Sequence, residues 1–84
     1  MTMRDDIIAA VEAARAGDWE AAHTTAQKHQ GNRQADWLHA ILHVVEGDEA
    51  NARYWYGRCE RDPNACATVD ADYDALLADL GAPV

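Results

Sequence analysis

The sequence predicts an all-α fold of about five helices, arranged as two antiparallel helical hairpins plus a C-terminal capping helix. Three observations predict it. Hydrophobic residues make up 49% of the chain, but much of that share is alanine, the strongest helix former, and phenylalanine is absent. Valine, isoleucine and threonine, which strands favour, are sparse and scattered. Turn residues punctuate the chain at Gly17, Gly31, Gly47, Asp62-Pro63-Asn64, and Gly81 with Pro83, leaving segments of helical length between them. At 84 residues there is room for one domain, spanning 1–84, with a thin core.

The elements follow in order. A first helix is expected from about Thr2 to Ala16, where Ile7, Val11 and Ala14 recur at helical spacing. Asp18 is a good N-cap for a second helix reaching about Gln30. The third is expected over Arg33 to Glu46. Asp48 caps a fourth that runs to about Arg61, and the last runs from about Asp70 to Leu80.

The chain repeats itself. Gly17-Asp18-Trp19-Glu20-Ala21-Ala22 aligns with Gly47-Asp48-Glu49-Ala50-Asn51-Ala52, and the same step pairs Asp6 with Asp36, Ala10 with Ala40 and His29 with Cys59. Glycine ends one helix, aspartate caps the next, and alanines stand where paired helices touch. Repeat 1 covers about 2–30, repeat 2 about 33–61, and the capping helix about 70–80. This arrangement resembles the tetratricopeptide repeats, with a shorter period and partly filled aromatic positions. The resemblance implies stacked hairpins whose first helices line a concave, partner-binding face.

Charge narrows the function. The net charge is -8, with only 7 Lys plus Arg, which disfavours nucleic acid and anionic membrane surfaces as partners. Apolar runs fall short of the length that spans a bilayer. Acids at Asp5 and Asp6 make Met1 to Asp6 a poor secretory signal. Two cysteines, Cys59 on a core stripe and Cys66 in a loop, do not make a disulfide scaffold. A cytoplasmic setting is expected.

The chemistry concentrates between Asp36 and Arg61. On a wheel at about 100° per residue, Leu38, Ile41, Leu42 and Val45 form the expected buried face of the third helix. Asp36, His39, His43 and Glu46 form a second face about 130° away, expected to lie off the main core. On the fourth helix, Ala52, Trp55, Tyr56 and Cys59 share one side, and Asn51, Tyr54, Arg58 and Arg61 another. Tyr54 is the ring expected to be exposed. Trp19 and Trp55 read as core, while Trp37, off its helix's stripe, suits a dimer contact.

His39 and His43 stand one turn apart, which suits two imidazoles on one metal, with Glu46 as a third ligand. The ion would be a divalent transition metal such as zinc or nickel. The zincin pattern is not met, because Ala40 follows the first histidine. A polar face hydrogen-bonded without metal accounts for the same residues. So does a pocket of His39, His43, Glu46, Asn51, Tyr54 and Arg58 that takes a peptide end or small anion. Asp70-x-Asp72-x-Asp74 imitates a calcium loop but has Ala75 and Gly81 where glycine and glutamate are required. No nucleophile constellation or phosphate-binding loop appears, so an enzyme is not expected.

Leu38-His39-x3-His43-x2-Glu46-Gly47-Asp48-x2-Asn51-Ala52-x-Tyr54-Trp55-Tyr56-x-Arg58, with Trp19 to His23, resembles the pattern of a group of short, uncharacterised bacterial proteins. The resemblance covers about half the chain and implies a shared site without naming an activity. The leading expectation is a small interaction module that binds a protein partner or itself as a homodimer, with no cofactor. The alternative is a ligand or metal site centred on His39 and His43.

Overall fold

Each helix opens on a side chain that can satisfy its free amides. The protein is described by a computed structural model over residues 2–82. Met1, part of the N-terminal segment considered above, and Pro83, the last turn residue, lie outside them. Five helices and no strand occur among the described residues: α1 (Met3–Arg15), α2 (Trp19–Lys28), α3 (Arg33–Glu46), α4 (Glu49–Arg58) and α5 (Val69–Asp79). Thr2 and Asp5 form a capping box on α1. Asn32 caps α3 and Thr68 caps α5. Asp18 Oδ1 accepts the Ala21 amide at 3.1 Å, and Asp48 Oδ1 accepts the Asn51 amide at 3.3 Å.

The internal repeat is visible in how the helices stop. The Asp18 amide donates to the Ala13 carbonyl at 2.9 Å, and the Asp48 amide to the His43 carbonyl at 2.9 Å. Both bonds close over a glycine in the left-handed region, Gly17 at φ +93° and Gly47 at φ +86°. At the end of α4 the Arg61 amide closes the same way on Tyr56, at 3.0 Å, but here Glu60 occupies the left-handed position at φ +57°. That turn ends α4 at Arg58, short of the expected end near Arg61. A Cβ costs about 1–2 kcal/mol in this conformation, part of which glycine gives back as unfolded-chain entropy. Glu60→Gly is therefore expected to raise stability by about 0.5–1 kcal/mol. A urea midpoint that stays level or falls would contradict this.

The helices pair as α1 with α2 and α3 with α4, and α3 also packs against α2, α5 and α1. This central placement revises the wheel of α3. A two-face reading assumes one buried side, whereas every residue from Ala35 to His43 is buried. Leu38, Ile41 and Leu42 are core, as expected. Val45 is 51% exposed, because burial on α3 ends at His43. Asp36, His39 and His43 are enclosed by neighbouring helices rather than lying on an open face.

Trp37 is likewise an interior residue, not a surface for dimer contact. It is 2% exposed, and its Nε1 donates to Asp72 Oδ1 at 3.0 Å. The Tyr56 hydroxyl donates to Asp72 Oδ2 at 2.6 Å, and Arg61 Nε to Oδ1 at 3.2 Å. The Arg61 guanidinium also lies 3.9 Å from the centre of the Trp37 ring. One buried carboxylate thus ties α3, α4 and α5 together. Asp70 and Asp74 instead meet Arg15, so the three acids do not converge as a calcium loop would require. Cys59 is buried, Cys66 is half-buried, and both are free thiols. No helix among the described residues is long and apolar enough to cross a membrane.

Candidate metal centre

Three histidines meet where α2 lies across α3. His39 and His43 are one turn apart on α3, so their rings stack, with centroids 4.9 Å apart and planes 28° apart. His23 comes from α2. Its Nε2 lies 3.1 Å from His39 Nε2, so one of these nitrogens carries the proton and the other accepts it. A nitrogen from each of the three rings falls within 4.8 Å of the other two. Two nitrogens bound at tetrahedral angles to one zinc-sized ion are about 3.3 Å apart. The His23–His39 pair is already close to that separation.

Tryptophans hold the rings in place. Trp19, one turn before His23, stacks on it with centroids 4.5 Å apart, and its Nε1 donates to the Leu42 carbonyl at 2.7 Å. That bond crosses from α2 to α3 beside the triad and fixes the position of His23. Trp55 of α4 lies flat on the other face of the site, 3.9 Å from His39 with planes 13° apart. His39 is thereby held between an indole and an imidazole, and is 3% exposed.

Glu46 does not join His39 but forms a second group with His43 and Asp48, whose ligand atoms lie within 4.8 Å of one another. Its Oε1 meets His43 Nδ1 at 2.6 Å, leaving His43 Nε2 as the nitrogen free to bind. A carboxylate on the far nitrogen orients a metal-binding imidazole and raises its basicity. The group that contains both His39 and His43 is completed by His23. Position and type both pointed to it, since Trp19 to His23 belongs to the patterned segment, but only tertiary packing brings α2 to α3.

The rest of the candidate set lies outside this triad. Tyr54 is 54% exposed, and its hydroxyl accepts Arg58 Nη1 at 2.9 Å. The Arg58 guanidinium also sits 5.4 Å from the Trp55 ring centre, so Trp55 stands between this pair and His39. Asn51 is half-buried in the first turn of α4. The surface hollow lined by Asp6, Ala9, Ala10, Ala13, Ala21, Thr25 and Lys28 touches none of the three histidines.

The electrostatics favour the neutral form of His39 and His23. Burial, and then the neighbouring His23 and His43, push His39 down to about 4 from an ordinary 6.5. Burial, and then His43, lower His23 as well. His39 Nδ1 is buried with no hydrogen-bond partner. Leaving a polar atom so costs about 1–3 kcal/mol. Leucine or phenylalanine would fill the same space without that cost, so a nitrogen here is poorly explained by packing alone. No family model, curated protein or solved structure matches the chain.

Proposed function

We propose that this protein binds one first-row transition-metal ion through His23, His39 and His43, with Glu46 orienting His43. The observation that carries the reading is the convergence of the three ring nitrogens within 4.8 Å, one of them backed by a carboxylate at 2.6 Å. Imidazole suits zinc, nickel, copper and iron, and an ion occupies far less space than an organic ligand, which fits a packed triad. The orphaned Nδ1 of His39 gives further support, because a residue kept at a stability cost in the centre of a small core calls for a role beyond filling it.

Chelator-stripped protein is expected to take up one equivalent of zinc, nickel or copper, read by elemental analysis after desalting. Trp19 and Trp55 lie against two of the ligands, so their fluorescence reports the event. His39→Ala and His43→Ala should abolish uptake. His23→Ala, at a half-buried position, tests the same site with less disturbance of the core. Glu46→Ala should weaken binding by roughly 10–100-fold without abolishing it. Uptake that survives all three histidine changes, or no uptake of any of these ions, would refute the proposal.

A further inference from the structure

We infer that the ion the triad is built to hold is copper, bound as Cu(I) in a three-coordinate shell of His23, His39 and His43. This rests on the metal-binding reading and adds the identity and charge of the ion.

The converging donors are all imidazole nitrogens, which bring no negative charge to a metal. Glu46 is engaged by His43 Nδ1, and with Asp48 it forms a separate group on that residue rather than joining the three converging nitrogens. The surroundings are dry and aromatic. His39 and His43 are 3% and 5% exposed, and the indoles of Trp55 and Trp19 cover His39 and His23. Neutral ligands leave an ion its full formal charge. The Born cost of burying it grows with the square of that charge, so a divalent ion costs roughly four times as much as a monovalent one. Zinc completes a four-ligand shell, so on this triad it would bring a water as its fourth ligand into these aromatic surroundings.

Cu(I) is a filled-shell ion that is satisfied by three donors, accepts imidazole, and gains from aromatic faces beside it. Its usual competitor ligands are placed elsewhere. The Cys59 thiol is buried and donates to the Tyr56 carbonyl at 3.4 Å, while Cys66 Sγ accepts Arg61 Nη2 at 3.2 Å in the connection between α4 and α5.

The test is an anaerobic competition on chelator-stripped protein. Cu(I) is supplied as its bicinchoninate complex, and Zn(II) against a chromophoric zinc chelator. One equivalent of Cu(I) should bind, and more tightly than Zn(II). X-ray absorption at the copper edge should show three nitrogen donors and neither sulfur nor oxygen. Cys66→Ser should retain this binding, and His23→Ala, checked for helicity by circular dichroism, should lose it. Zinc bound as tightly as copper, an oxygen donor in the shell, or sulfur in the shell would each overturn the copper assignment while leaving the metal-binding reading intact. Failure of both ions to bind at one equivalent would overturn the copper assignment, and refusal of nickel and Cu(II) as well would overturn the metal-binding reading.

Discussion

Asp72→Ala should be among the most destabilising single substitutions in this protein, lowering its stability by about 3 kcal/mol. The carboxylate is 6% exposed and serves three donors: the Trp37 indole on α3, the Tyr56 hydroxyl on α4 and the Arg61 guanidinium just after α4. Alanine would remove the acceptor and leave all three donors in place. An unsatisfied buried donor costs about 1–3 kcal/mol, and the indole and hydroxyl have no route to water without movement of the core. Arg61 is partly exposed, so its share is smaller. In a domain of this size, about 3 kcal/mol corresponds to a fall in melting temperature of about 15 °C. Asp72→Asn keeps one acceptor oxygen but loses the charge facing Arg61, and should cost roughly half as much. Calorimetry of the two variants checks both figures. A drop of only a few degrees for Asp72→Ala would show that water reaches the three donors and that the network is not what joins α5 to the hairpins.

The same residue shows what a sequence can and cannot display. The helices are legible because their signals are local. Asp18 and Asp48 cap from one residue before the first turn, and Gly17 and Gly47 stop a helix by their own backbone freedom. The bounds of α3 are read correctly to the residue, and those of the others to within a few residues. The role of Asp72 is not legible, because its partners lie far off in the chain and nothing in Asp70-x-Asp72-x-Asp74 marks the middle acid as buried. Trp37 suffers from the same gap: off its helix's stripe it reads as a surface ring, and only the arrival of α5 makes it interior.

For the site, the i,i+4 relation of His39 and His43 and the i,i+3 relation of His43 and Glu46 are properties of one helix and can be read directly. Which atom Glu46 meets, and that His23 completes the triad, depend on how α2 crosses α3. The wheel of α3 failed for a related reason. It sorts residues into inside and outside, and a helix with neighbours on every side has no outside until His43 is passed.

Acid should unfold the metal-free protein earlier than its carboxylates alone would. His39 is held down to about 4 in the folded state, first by burial and then by His23 and His43, against 6.5 for an ordinary histidine. The unfolded chain therefore binds a proton between these values that the folded chain refuses, and stability rises with pH across that window. The contribution is complete above about pH 6.5 and is lost as the pH falls toward 4. At 1.36 kcal/mol per pH unit, the loss from His39 is about 3 kcal/mol, and His23, lowered in the same direction, adds to it. Because the three rings are in contact, the loss belongs to the cluster as much as to one residue. Asp79 does not confuse the reading. Gln34 and Arg33 hold it below its ordinary 3.8, so its loss falls at lower pH. Urea unfolding with a chelator present, repeated at intervals from pH 7.5 to 4.5, measures the slope directly. The wild type should lose stability steadily below pH 6.5, and His39→Gln, which cannot take up the proton, should be much flatter. A flat wild-type profile, or an unchanged slope in His39→Gln, would mean that the ring is solvated well enough to charge at its ordinary pH. The sealed character of the His39 site would then be lost as well.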